Sequence, residues 1–255
     1  MIRIALPNVT PTILATEGVE RTAEDCEAYD NSPNDSFSSK FDPLRSIYGA
    51  EEVKRALLSA QFDKCCYCER KFGASSPGDI EHYRPKKAVR QDMSSKEEKQ
   101  GYYWLVYSWN NLLVACEKCN RECKRTQFPL VNPEKRARSH HDRIDDEVPL
   151  LIQPALEDPR MHIRFRKDAP EGLTPVGIVT IRVLELATRP KLVEARIDRY
   201  KKLTLLLEAY RNSSETTDPK WKAWREDTRR ELEEEMLPRS EFSSMAIDLI
   251  GPALG

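Results

Sequence analysis

The chain has 255 residues, 41 Lys plus Arg against 42 Asp plus Glu, a formal net charge of −1 and 39% hydrophobic content. That length and balance suit a globular protein with a real core, and argue against a protein that coats nucleic acid non-specifically, although a local basic site remains compatible. No apolar run approaches the ~18 residues that span a membrane. The first sixteen residues offer only Arg3 as a basic flank and are interrupted by Pro7 and Pro11, so the expectation is a cytoplasmic chain without a secretory signal.

Residues 1–60 hold ten acidic and six basic side chains, and residues 1–49 read as an N-terminal arm. Within it, Asp30 to Pro43 is rich in turn formers and is expected to be a loop or a strap. Glu51 to Gln61 predicts a helix with Val53, Ala56, Leu57 and Ala60 on one face. Residues 50–135 follow as a core carrying the cysteine motifs, with Gln91 to Gly101 as a polar insertion. In the extension over 136–190, His162 to Arg166 alternates as a half-buried strand. Its basic face could contact phosphate, but an ordinary solvated face is the favoured account. Residues 191–255 form a C-terminal helical region. Val193, Ile197, Tyr200, Leu203, Leu207 and Tyr210 trace one long amphipathic helix. Asp218-Pro219 starts a second, with Trp221, Trp224, Leu232 and Met236 on one face and an end near Pro238. The expectation is a long helical hairpin packed on the rest; its exposed remnant would offer a docking surface.

Six of the seven cysteines fall in two tight groups. Cys65 and Cys68 form one C-x-x-C, and Cys116 and Cys119 another, with 47 residues between Cys68 and Cys116. Two such steps suit structural zinc, four thiolates closing a tetrahedron, rather than a disulfide framework. Buried free thiols are the plainer alternative. Cys26, Cys66 and Cys123 have no matched partner; Cys123 could replace a ligand only in a looser second knuckle.

Between the knuckles lie D-I-E-H-Y-R-P-K-K (Asp79 to Lys87) and W-N-N-L-L-V-A (Trp109 to Ala115), both expected as strands, and Asn120 to Arg125 starts a short helix. The order and the residues resemble the HNH, or ββα-metal, endonucleases. C-C-Y-C-E, I-E-H-Y-R-P-K, Y-Y-W-L-V-Y-S-W-N-N-L and C-E-K-C-N-R-E-C-K-R-T-Q-F-P-L resemble most closely the PtuB-like nuclease subunits of Septu-type anti-phage systems, also found beside some retrons. A later E-V-P-L-L-I-Q-P-A-L-E-D-P block is similar to their downstream extension, so the likeness covers about residues 50–190.

The resemblance implies an α+β fold, a zinc-clamped ββα-metal core in a mainly helical protein, and an endonuclease acting beside an ABC or SMC-like (PtuA-like) ATPase subunit. It implies His82 as general base, Asn111 as its positioner, and Glu81 with Asn120 as ligands of a catalytic Mg²⁺ or Mn²⁺. The chemistry agrees: an imidazole accepts a proton near neutral pH, and oxygen donors suit a hard dication that stabilises a leaving oxygen. Asn111 would act directly or through backbone hydrogen bonds. Glu81 stands where Asp is commoner, and Asn120 where His is. Arg84, Lys86, Lys87, Lys124 and Arg125 are expected to hold flanking phosphates of DNA or structured RNA; Cys116 to Arg143 carries eight basic and four acidic residues. Asp79 is a reserve ligand, and His140 and His141 are candidates to join the site or to be solvated. The competing expectation is a zinc-stabilised nucleic-acid-binding or adaptor protein with an inactive core.

Overall fold

A computed structural model describes residues 1–73, 76–213 and 218–254. The first sixty residues are mainly helical: α1 (Thr12–Ala15), α2 (Glu17–Asn31), α3 (Asp35–Lys40), α4 (Arg45–Tyr48) and α5 (Glu51–Ala60) follow one another. Glu17 and Glu20 in the first turn of α2 suit its dipole. The expected loop over 30–43 is instead largely α2 and α3. Phe37 is the reason: it stacks on Phe41 and packs against Tyr29 and Tyr103 at centroid distances of 5.1, 5.5 and 4.8 Å. A polar segment with one buried aromatic anchor is thereby ordered. In α5, Val53 and Leu57 are fully buried, as its periodicity predicts.

Next come β1 (Asp79–His82), β2 (Ala88–Val89), β3 (Glu98–Lys99) and β4 (Leu112–Ala115). β1 and β4 pair antiparallel, with Asp79 opposite Ala115 and His82 opposite Leu112; β2 and β3 form a separate small hairpin. Gly78 enters β1 at φ +73°, and a Cβ there would lie 2.6 Å from Val114 Cγ1, so glycine suits both the turn and the close approach. Asn111 does not lie on the second strand: Trp109–Asn111 forms a tight helical turn and the strand starts at Leu112. The helix after the second knuckle is wider and earlier than expected, a π-type turn over Lys118–Lys124 that stops where Arg125 adopts φ +52°.

β4 is buried along its whole length and divides two cores. Leu113 and Ala115 join Ile152, Leu184, Leu203 and Met245, whereas Leu112 and Val114 join Val53, Leu57, Val106 and Trp109. This is the two-residue alternation of a strand packed on both faces. A third cluster gathers Tyr83, Tyr102, Phe128 and Leu151.

The hairpin β5 (Ile163–Arg166) and β6 (Ala169–Gly172) leads into α6 (Pro175–Val183), α7 (Pro190–Asn212), α8 (Pro219–Glu235) and α9 (Ser243–Leu254). Asp218 caps α8 by accepting from Lys220 N at 2.8 Å. α7 and α8 pack together, with Arg199 paired to Glu235. Two expectations change here. Trp221 and Trp224 are 54% and 39% exposed, leaving Thr228 and Leu232 as the buried residues of α8. A further helix, α9, follows Pro238 and buries Met245, Ala246 and Ile250 against α7, α8 and β5. No helix among the described residues is long and apolar enough to cross a membrane.

Candidate metal centre and active-site groove

The first C-x-x-C lies on a tight turn after α5. Cys65 N donates to Arg70 O at 2.9 Å, Glu69 N donates to Cys65 O at 3.1 Å, and Glu69 itself takes φ +62°. The Glu69 carboxylate is buried between the Met1 ammonium, Lys64 and Ser244. The second pair follows β4, Cys116 directly after its end and Cys119 on the π-type turn, where Asn120 N donates to Cys116 O at 2.9 Å. The ligand atoms of Cys65, Cys68, Cys116 and Cys119 all lie within 4.8 Å of one another. Cys68 Sγ and Cys116 Sγ are 3.8 Å apart, which matches the edge of about 3.8 Å for a tetrahedron with Zn–S bonds of about 2.3 Å. Arg189 Nη1 donates to Cys119 Sγ at 3.3 Å, and Cys116 N to Cys65 Sγ at 3.3 Å. The four thiols therefore fit a zinc ion. Cys26, Cys66 and Cys123 lie outside the group.

Beside this centre, a groove of about 200 Å³ is lined by Ile80, Glu81, His82, Pro85, Lys86, Lys87, Asn120, Arg125 and Thr126. Three of the four expected site residues thus share one groove: Glu81 and His82 at the end of β1, and Asn120 on the π-type turn. Gly101 packs against the backbone of the groove residue Pro85, where a Cβ would meet Pro85 O at 2.3 Å.

His82 is buried, and its Nε2 lies 3.1 Å from Val106 O. A carbonyl only accepts, so Nε2 carries the proton and Nδ1 keeps the lone pair. Nδ1 faces Lys86 Nζ at 3.4 Å, and Tyr48 stands edge-on to the ring at 4.8 Å. Burial, then the positive charge of Lys86, push His82 well below the usual histidine range. The imidazole is accordingly neutral at pH 7, the form a base requires. Asn111 does not touch it. Asn111 Oδ1 accepts from Arg84 N at 2.8 Å, and Nδ2 donates to Arg84 O at 3.2 Å and Leu105 O at 3.0 Å. It ties the end of β1 to the segment whose next carbonyl, Val106 O, holds His82.

Glu81 Oε1 accepts from Lys124 Nζ at 2.6 Å and from Tyr67 OH at 3.2 Å. Burial raises its affinity for a proton and Lys124 opposes this. Lys124 is 1% exposed and also donates to His82 O at 2.9 Å. The expectation that Lys124 contacts phosphate is thereby corrected: its charge is spent inside the protein. Arg84 is corrected likewise, since Nε binds Glu147 Oε2 at 3.0 Å and the guanidinium lies over Phe128. Lys86, Lys87 and Arg125 do line the groove; burial lowers Lys86, and Lys87 reaches Asp42 at 3.1 Å. Asp79 makes a bidentate pair with Arg121 at 2.7 and 2.8 Å, outside the groove lining. His140 and His141 do not line the groove either; they meet Asp30. As oxygen donors on one wall, Glu81 and Asn120 fit a hard dication by type, with Lys124 and Tyr67 both bound to Oε1 and neither to Oε2. Tyr67, Val106 and Tyr48 were not foreseen. Tyr67 sits inside C-C-Y-C-E, and that was the available signal.

Fold and site define an α+β protein built around a four-thiol centre that could bind zinc, beside a basic groove holding a buried glutamate–histidine pair. Two curated relatives are similar in sequence, both named Septu protein PtuB. That of Bacillus mycoides (strain KBAB4) is 41% identical over 119 residues, 47% of this chain and 40% of the relative. That of Bacillus thuringiensis is 28% identical over 153 residues, 60% of this chain and 48% of the relative. The matched stretch is thus less than half of each relative's length. The likeness to PtuB-like Septu proteins agrees with the motif blocks. No protein-family model and no solved structure matches the chain.

Proposed function

We propose that the chain is a metal-dependent HNH-type endonuclease that hydrolyses phosphodiester bonds in nucleic acid. It acts as the effector of a Septu-type anti-phage system beside an ABC or SMC-like ATPase, in the cytoplasm. The defence role rests on the names of the relatives, and the ATPase partner on the resemblance of the motif blocks. The activity rests on one observation: His82 is held at Nε2 by Val106 O, so that Nδ1 is directed as an acceptor at Lys86, in a groove shared with Glu81 and Asn120.

In this reading Nδ1 takes the proton of the attacking water. Lys86 covers that lone pair until a substrate phosphate draws the ammonium away, which couples substrate entry to release of the base. Lys87 and Arg125 hold the neighbouring phosphates. Glu81 and Asn120 would hold Mg²⁺ or Mn²⁺, which when bound supplies charge for the scissile phosphate and the leaving oxygen.

Cleavage of DNA and RNA substrates with Mg²⁺ or Mn²⁺, by the chain alone and with its ATPase, tests this. His82→Ala is expected to abolish cleavage while the chain still folds and retains the zinc, with some loss of stability from the buried site; a His82→Ala protein that cuts at the wild-type rate overturns it. The alternative is an adaptor that binds nucleic acid without cutting. It is favoured by the two lysines that occupy Glu81 and His82. It requires binding without cleavage by the wild type under every metal tried.

A further inference from the structure

At the end of α2, Asp30 meets a turn that lies far along the chain. His141 Nε2 is 2.8 Å from Asp30 Oδ1, and His140 Nε2 is 3.5 Å from Asp30 Oδ2. The three donor atoms lie within 4.8 Å of one another. A tetrahedral ion with bonds of about 2.0–2.1 Å to nitrogen and oxygen holds its donors roughly 3.3 Å apart. Small side-chain adjustments reach that spacing. The imidazole rings are 3.9 Å apart and tilted by 41°.

The surroundings hold these donors in place. Tyr103, fully buried, places its hydroxyl 2.6 Å from His140 Nδ1. Donation of Nδ1–H to that oxygen leaves the Nε2 lone pair directed at Asp30, the arrangement that metal-bound histidines use. Tyr29, on the same helix as Asp30, stacks on Tyr103 at 5.0 Å and meets the His140 ring edge-on at 6.0 Å. The turn is itself braced: Asp142 Oδ2 accepts from Arg138 N at 2.8 Å and Ser139 N at 2.9 Å. His141 is 62% exposed on its side chain, so the outer face is open to water.

We propose that Asp30, His140 and His141 form a second zinc site, separate from the four thiols and with an open coordination position. Two imidazoles and one carboxylate favour a borderline transition dication over Mg²⁺ or Ca²⁺. The ion would tie α2 of the N-terminal arm to the segment after the second knuckle, and water would complete its coordination. This inference does not depend on nuclease activity.

The test uses the untagged full chain, zinc titration against a chromophoric chelator, and unfolding midpoints with and without added zinc. The wild type is expected to bind two zinc ions, one of them readily exchanged, and to gain stability as the second is added. His141→Ala, at an exposed position that leaves the fold intact, and Asp30→Asn are each expected to weaken the exchangeable ion by about 10-fold or more. They should retain the tightly held one. Wild-type protein that binds a single zinc overturns the proposal, as does a His141→Ala protein with unchanged affinity for the second ion.

Discussion

Lys124 Nζ lies 2.6 Å from Glu81 Oε1, with both side chains shut away from solvent. A buried ion pair that loses one member leaves an uncompensated charge, which typically costs 3–5 kcal/mol. Lys124→Met is therefore expected to lower stability by about 3 kcal/mol, read from a denaturant midpoint. The Glu81→Gln, Lys124→Met double variant should recover most of it. Additive losses in that cycle would show that the pair is not coupled.

Asn111 holds three backbone groups, two on Arg84 and one on Leu105. Asn111→Ala strands those groups in the interior and should cost about 2–3 kcal/mol. Because Leu105 precedes the carbonyl that holds His82, cleavage should fall by more than the loss of folded protein accounts for. Activity normalised to the folded fraction is the measurement. A variant with wild-type normalised activity would limit Asn111 to stability.

Arg189 places a guanidinium 3.3 Å from Cys119 Sγ. Four thiolates around one zinc carry a net double negative charge, and this cation offsets part of it. Arg189→Met keeps bulk and removes charge. It should weaken zinc retention by about 10-fold, as loss of a group supporting a metal ligand commonly does. Competition with a chelator checks this, and identical release from both proteins would contradict it.

Asp25 is buried in α2, where it pairs with Arg21 at 3.0 Å while its Oδ2 has no hydrogen-bond partner. Burial pushes its carboxyl up to about 6, against the pull of Arg21. A folded value above the unfolded one means that Asp25's contribution is fully present below about pH 4 and lost as the pH rises through about 6. Asp25→Asn should therefore gain on the wild type across that window, by on the order of 2 kcal/mol at pH 7. Unfolding midpoints from pH 4 to 8 should converge at the acid end.

The four-cysteine group was legible because each C-x-x-C pair is a local spacing, and two matching pairs leave few alternatives. α5, α7 and the start of α8 were legible for the same local reason, a repeating apolar face or an Asp-Pro cap. α3 was not, since a polar segment is ordered there by Phe37 meeting Tyr103, far away in the chain. α9 was missed because Gly251 and Pro252, residues that ordinarily end a helix, lie inside it. Arg84 and Lys124 were assigned by charge alone, whereas their placement depends on Glu147 and Glu81 across the fold. Asn111 lies in a tight turn just before β4 and not on the strand, and it acts through two backbone segments that the sequence does not show to be adjacent.

The register of β1 against β4 sets where this chain can change length. Asp79 faces Ala115 and His82 faces Leu112, with Cys116 next in line. One residue added within 112–115 would turn every following side chain over, moving His82 away from its carbonyl or a cysteine away from its partners. The largely exposed stretch between β2 and β3, including Met93 and Ser94, carries no such constraint. Inserted loops or reporter tags belong there, and related chains of different length should differ there before they differ beside the thiols.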